Sequence, residues 1–346
     1  MRACVIHGPN KLVIEERERP VPGPHQVAVR LGAGGICGSD LHYYHAGRVG
    51  AFIVREPMIL GHEVAGEIIA TGTDVTKLNV GDRIAVNPAR PCGVCRECRS
   101  GLGNLCADVY FYGSAARFPH VDGAFAEVFL ADEAQCFPIS DRLSYAEAAC
   151  AEPLAVALHG AKRAGNLLGK RVLITGAGPI GLLTLMVVNL AGASEIVITD
   201  RMEEPLATAR TLGAHRTLNT AALDPAGDQV SSLTGAFDVA IEAAGALPAL
   251  TQCMVAVRPG GRIVQLGSLP AQTDDSLRMN LLVTREIELL GSFRFFHEYG
   301  AAVAMLESGK LNPEPLLSAQ MALTEAESAF ALASDRKRAL KVSLIP

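Results

Sequence analysis

Short β-branched stretches separated by glycine and proline fill the first 150 or so positions. Gln26–Leu31, Glu63–Thr71 and Arg83–Val86 are the clearest. They predict short strands of an irregular all-β unit. The pattern changes near Ala148. From Arg171 onward apolar runs of strand length alternate with helical patterns. Strands are predicted at Val172–Thr175, Glu195–Thr199, Phe237–Ile241, Arg262–Leu266 and Glu286–Leu290, and helices at Pro179–Ala191 and Glu204–Leu212. That alternation predicts a parallel sheet covered on both faces. Thr324 and Glu327 have the T-x-x-E spacing of a capping box and predict a helix start leading into Ala329–Ala333. The apolar run Val172–Ala193 approaches the length of a membrane span. Gly176, Gly178, Pro179 and Gly181 interrupt it, so strand, glycine turn and helix is the better reading.

Length turns this pattern into a domain expectation. A chain of 346 residues exceeds one typical core, so two domains are expected. We place the first at 1–155, the second at 156–294, and return 295–346 to the first. Hydrophobic residues make up 49% and charged residues 19%, which excludes disorder. A net charge of -5 without a basic run argues against a nucleic-acid partner. The first apolar stretch, Cys4–Ile6, is too short for a signal peptide, so a cytoplasmic protein with no membrane partner is expected.

Nine cysteines in a reducing compartment point to metal rather than disulfides. Cys92, Cys95, Cys98 and Cys106 follow C-x2-C-x2-C-x7-C, and four clustered thiolates suit a closed structural zinc site. Iron–sulfur ligation is the alternative, but its bacterial run has x3 before the fourth cysteine and a proline after it. Here x7 precedes Cys106 and Ala107 follows, which favours zinc. Cys4, Cys136, Cys150 and Cys253 have no ligand-like neighbours and are read as small buried apolar residues.

A second constellation differs in kind. Cys37 is followed by His62-Glu63 and, much later, Glu152. One thiolate, one imidazole and a carboxylate suit an open, catalytic zinc site. Either Glu63 or Glu152 can complete the set, the other holding the metal's water. Asp40 and Glu67 are read as structural. Downstream, Gly176-Ala-Gly178-Pro179-Ile180-Gly181 is G-x-G-x-x-G straight after an apolar strand, and Asp200 ends the next strand about 20 residues on. That is the pattern of a dinucleotide loop, with the pyrophosphate at a helix N-terminus. A carboxylate at Asp200 repels a 2′-phosphate and favours NAD over NADP. Arg201 acts the other way, because a guanidinium can pair with that phosphate.

Taken together, these residues resemble the zinc-dependent medium-chain dehydrogenase family over essentially the whole chain. Gly35–Tyr44, Leu60–Val64, Phe118–Gly123, Glu152–Val156, Gly178–Gly181 and Gly291–Phe295 carry the resemblance, and within the family the chain is most similar to the polyol, sorbitol-dehydrogenase type. The resemblance implies an α/β plus β fold: a GroES-like irregular β catalytic domain and a Rossmann, doubly wound parallel-sheet cofactor domain. It implies Cys37, His62 and Glu152 as catalytic zinc positions with Glu63 close by, and one structural zinc. It implies Ser39 as the hydroxyl that takes the substrate proton and His42 as the outer end of the relay. Tyr43, Arg294 and Phe295 match substrate positions. Tyr43 as a packed aromatic and Arg294 as an ion-pair partner are the bland alternatives. Phe295 replaces a tyrosine common in sorbitol dehydrogenases. Leu266, Gly267, Ser292, Phe293 and Arg294 match cofactor-contacting positions. The expected reaction is NAD-dependent oxidation of a secondary alcohol on a polyol or sugar acid, L-idonate to 5-keto-D-gluconate first. Sorbitol, xylitol, threonine and butanediol are the alternatives, and a non-catalytic nucleotide-binding relative is a remote one. A homotetramer or dimer is the implied assembly.

Overall fold

The computed structural model describes residues 1–222, 232–269 and 279–346. The chain divides into two compact units, Met1–Glu152 with Phe296–Pro346, and Pro153–Phe295.

The first unit is built on β-structure. Its largest sheet runs Cys136–Pro138, Arg83–Val86, Glu63–Thr71, Gln26–Gly35, Lys341–Ile345 and Leu317–Ala322, with Val128–Asp132 also paired to Gln26–Gly35. Pairing is antiparallel except between the last two strands of that path. A smaller sheet joins Lys11–Glu16, Arg2–Gly8 and Met58–Ile59. Glu63–Thr71 and Arg83–Val86 take the predicted bounds, and Gln26–Leu31 lengthens to Gly35. The gain has a consequence. The extra residues Gly34 and Gly35 pair with Val64 and Glu63 on one side and Leu344 and Ser343 on the other. Three strands distant in sequence therefore meet just where Cys37, Glu63 and Lys341 lie. Val27, Val29, Leu31, Val64, Ile68, Ile84 and Val86 form one core between the sheet faces.

The second unit holds six parallel strands among its described residues, Arg171–Thr175, Glu195–Asp200, Arg216–Asn219, Phe237–Glu242, Val257–Gln265 and Glu288–Gly291. Numbered along the chain, their spatial order is 3-2-1-4-5-6, the doubly wound arrangement. The strands are near-continuous apolar runs, as burial on both faces requires. Val172–Ala193 becomes a strand ending at Thr175, a turn, and the helix Pro179–Leu190. No helix of the described residues is long and apolar enough to cross a membrane.

Two local expectations are corrected. The helix near the C-terminus spans Ala326–Ser334, after a 3-10 turn at Leu323–Glu325. Thr324 lies inside that turn and makes no cap. Glu325, not Glu327, reaches back to accept from the Ala322 N–H at 3.2 Å. The last strand of the parallel sheet begins at Glu288 rather than Glu286, because Glu286 takes a left-handed conformation (φ 48°) after the helix Asn280–Thr284.

Candidate active site and metal centres

Cys37 caps the helix Gly38–Ala46 in extended conformation, and Asp40 accepts from its N–H at 2.9 Å. This C-x-x-D spacing is a capping box, so the same residues that start the helix fix the direction of the thiol. Asp40 also accepts from the Gly61 N–H at 3.2 Å, which draws the segment before Glu63–Thr71 onto the helix start. His62 comes with it. Its Nδ1 lies 3.7 Å from Asp40 Oδ1. A carboxylate facing one ring nitrogen leaves the other, Nε2, for a metal.

One ligand atom each from Cys37, His62 and Glu63 lies within 4.8 Å of the others. Glu152 is buried, with its carboxyl pushed up to about 8, chiefly by burial. His62 pulls it down, and Glu63 and Cys37 push it up, yet Glu152 stands outside the 4.8 Å set. The structure thus brings Glu63, rather than Glu152, into the tight group with Cys37 and His62. Burial likewise pushes the Cys37 thiol up to about 12 and raises Asp40.

Lys341 was not legible as a site residue. It is 3% exposed and donates to both Glu63 oxygens, at 2.8 and 2.6 Å, and to Ile36 O at 3.2 Å. The Glu63 carboxylate raises its ammonium pKa against the opposing effect of burial. Three buried carboxylates and a thiol crowd around one lysine and one imidazole. Buried charge of one sign demands compensation. A divalent cation with thiolate, imidazole and carboxylate ligands supplies it, so the donor set fits zinc.

The remaining relay and substrate candidates fall into distinct settings. Ser39 follows Cys37 at the helix start, and its hydroxyl draws the Cys37 thiol down against the larger effect of burial. His42 is exposed on the same helix. Tyr43 is buried in the apolar core with its hydroxyl accepting from the Ala115 N–H at 3.0 Å, as a packed aromatic does. In the second unit, Phe295 is buried, and Arg294 adopts a left-handed backbone (φ 53°) with its guanidinium 4.9 Å from the Phe293 ring centre. A non-glycine residue held there is an uncommon feature that clusters at functional sites.

The four remaining ligand candidates form a separate centre. Cys92, Cys95, Cys98 and Cys106 place their sulfurs within 4.8 Å of one another, and Cys92 and Cys98 are 4.0 Å apart. Tetrahedral ligands at the usual zinc–sulfur distance would be about 3.8 Å apart. The N–H groups of Cys92, Cys95 and Cys98 donate to Cys106, Cys92 and Cys95 sulfur, each at 3.4 Å. The Val94 and Cys95 N–H groups draw the Cys92 thiol down to about 7. Such N–H···S bonds favour thiolates, and the lobe fits a closed zinc site. Cys4, Cys150 and Cys253 are buried, while Cys136 is half-buried and donates to Asp132 O.

In the second unit Gly176 (φ 93°) makes the turn after Thr175, and a Cβ on it would meet Ala244 N at 2.7 Å. A Cβ at Gly181 would collide with Gly176 O. Pro179 and Ile180 open the helix behind Gly178, and no side chain caps its first turn. Pro179 has no N–H, and the backbone N–H groups after it in the first turn suit a pyrophosphate. The Asp200 carboxylate accepts from the Ala177 N–H at 2.8 Å and the Met202 N–H at 3.1 Å, so it also fixes the glycine turn. Arg201 beside it is exposed. Leu266 and Gly267 donate to Glu242 O, and the Ser292 N–H to Gln265 O.

Comparison with known proteins agrees with both units. Residues 23–141 match the alcohol dehydrogenase GroES-like domain, and residues 179–308 the zinc-binding dehydrogenase family. The L-idonate 5-dehydrogenase (NAD(P)(+)) of Escherichia coli K12 is 40% identical over 99% of this chain and 98% of its own length. The sorbitol dehydrogenase of Bacillus subtilis 168 is 38% identical over 100% and 97%. The crystal structure of the E. coli L-idonate 5-dehydrogenase superposes with a TM-score of 0.94, covering 100% of this chain and 98% of that one. With a GroES-like unit, a doubly wound sheet and full-length relatives of this kind, the chain belongs to the zinc-binding alcohol dehydrogenase family, among its polyol dehydrogenases.

Proposed function

We propose that the chain oxidises a secondary alcohol of a sugar acid, L-idonate to 5-keto-D-gluconate, with NAD as the preferred acceptor. The observation that carries the chemistry is the Cys37, His62 and Glu63 group, with one ligand atom of each within 4.8 Å. Cys37, His62 and Glu63 would hold the catalytic zinc, with the buried Glu152 carboxyl outside that tight set. Zinc, when bound, is a Lewis acid that makes an alcohol oxygen more acidic. A nicotinamide dinucleotide, when bound, is the hydride acceptor.

The chain's own residues do the rest. Asp40 orients the His62 ring, and Lys341 holds the Glu63 carboxylate without occupying all of its lone pairs. Ser39 Oγ would accept the hydroxyl proton while passing its own proton on, and exposed His42 would release a proton to solvent at the outer end of the relay. Arg294 is our candidate for a substrate carboxylate, since guanidinium binds carboxylates in a bidentate fashion. Tyr43, packed in the core of the first unit, and Phe295, buried in the second, act as packing residues of their own units. Asp200 selects against a 2′-phosphate, and Arg201 sets how strongly. A homodimer or tetramer is the proposed assembly, testable by light scattering.

The relatives favour two substrates, so the test uses both. Initial rates of reduced-cofactor formation are measured with L-idonate and sorbitol, each with NAD and with NADP. We expect a higher kcat/KM for L-idonate with NAD. A dominant sorbitol rate would make this a neutral-polyol enzyme and remove Arg294 as a carboxylate site. Equal rates with NADP would overturn the role given to Asp200.

A further inference from the structure

Thr175, Glu242 and Gln265 are register partners at the carboxyl ends of three adjacent parallel strands. Open parallel sheets receive ligands outside those ends, where strand order reverses. Here the reversal lies between Arg171–Thr175 and Phe237–Glu242. Glu242 is fully buried at that point.

Its side chain and backbone both act as ties. One carboxylate oxygen accepts from the Ala244 and Gly245 N–H groups, each at 2.9 Å. The other accepts from Gln265 Nε2, which also donates to Gly267 O at 2.7 Å. The Glu242 carbonyl accepts from the Leu266 and Gly267 N–H groups at 2.8 and 2.9 Å. One residue therefore joins the turn 243–246 to the turn 266–268.

The glycine loop is in the same contact. A Cβ on Gly176 would meet Ala244 N at 2.7 Å, and one on Gly245 would meet Ser268 O at 2.7 Å. A Cβ on Gly267 would collide with Gly245 N and the Glu242 carboxylate. The three turns crowning the sheet at its reversal touch through backbone, so a shift in one displaces the others.

A carboxylate is a costly way to tie turns. Burial raises its pKa, and the N–H donors of the turn and the Gln265 amide oppose that. An ionised carboxylate only accepts, and so satisfies several donors at once. An amide in its place offers one acceptor oxygen and sets an NH2 group against the Gln265 NH2 or the turn's N–H groups. Flipping Gln265 relieves that conflict only by breaking the bond to Gly267 O.

We propose that Glu242 is a positioning residue for the dinucleotide, holding the turns 243–246 and 266–268 in the arrangement that receives it beside the Gly176–Gly181 loop. The inference rests on the reading of this unit as a nicotinamide-dinucleotide site. Binding of NADH and NADPH by the unaltered full chain therefore comes first, by nicotinamide fluorescence. Failure of that titration removes the dinucleotide reading itself.

Glu242→Gln is then titrated in the same way, with melting temperature and zinc content recorded in parallel. We expect about tenfold weaker NADH binding, the scale of one hydrogen bond to a charged group. KM for the oxidised cofactor should rise similarly, with kcat at saturation little changed. A folded, zinc-replete variant with unaltered NADH affinity overturns the proposal, as does one whose only change is a lower melting temperature. If Glu242→Gln does not fold, Gln265→Leu decides. It leaves the Ala244 and Gly245 donors to Glu242 in place and removes both bonds of the Gln265 amide, to the Glu242 carboxylate and to Gly267 O. Weaker NADH binding there supports the proposal, and wild-type affinity overturns it.

Discussion

Lys341 is the buried cationic partner of the Glu63 carboxylate in the first unit. It neutralises Glu63 in a site where both side chains are almost wholly buried. Removing one partner of a buried pair costs far more than the pair is worth, because a charge is left without compensation. In the zinc-free protein Lys341→Met should lower stability by about 3–5 kcal/mol. In the zinc-loaded protein the loss should be smaller, since Glu63 then keeps a cation. Thermal melts with and without chelator measure both, and equal losses would mean that Glu63 is not a zinc ligand. Residues of this type explain what could be read in the chain and what could not. The Cys92–Cys106 spacing is local, so its geometry was visible in sequence. Lys341 lies 278 positions from Glu63, and nothing local marks it. The sequence marks Asp40 as structural, and it caps the helix start, but the same carboxylate also faces His62.

Elements show the same division. The strands and glycine turn of the parallel sheet were legible because two-sided burial leaves uninterrupted apolar runs and glycines mark the turns. Their ends were not, since Glu286 and Thr324 sit in turns whose conformation depends on what packs beside them. Cross-strand polar ties were equally hidden. Asp238, in the strand Phe237–Glu242, accepts from the Arg171 N–H at 3.0 Å and from Arg258 Nε at 2.9 Å. The Arg171 N–H, then Arg258, holds its carboxyl below the usual range. A depressed folded pKa contributes stability above the unfolded value and loses it as pH falls through the folded one. Asp238→Asn should therefore cost about 1–2 kcal/mol near neutrality. The difference should shrink below about pH 4 and vanish only below the depressed folded value. Melting temperatures of both proteins across that range provide the check, and a difference independent of pH would show that the charge of Asp238 contributes nothing.

At the scale of the whole molecule, each unit carries one kind of chemistry. The first gathers two sets of metal-ligating side chains, one buried and acidic, one a half-buried thiol lobe. The second carries the glycine turn and the Glu242 ties. The two metal sets are given different roles, and zinc content with turnover tests that difference most directly. The unaltered protein should hold about two zinc ions per chain. Cys37→Ser should hold about one and lose turnover while keeping its melting temperature within a few degrees. Cys98→Ser should also hold about one, and lose stability first. A Cys37→Ser protein that keeps both ions and its full rate would contradict the catalytic centre described here.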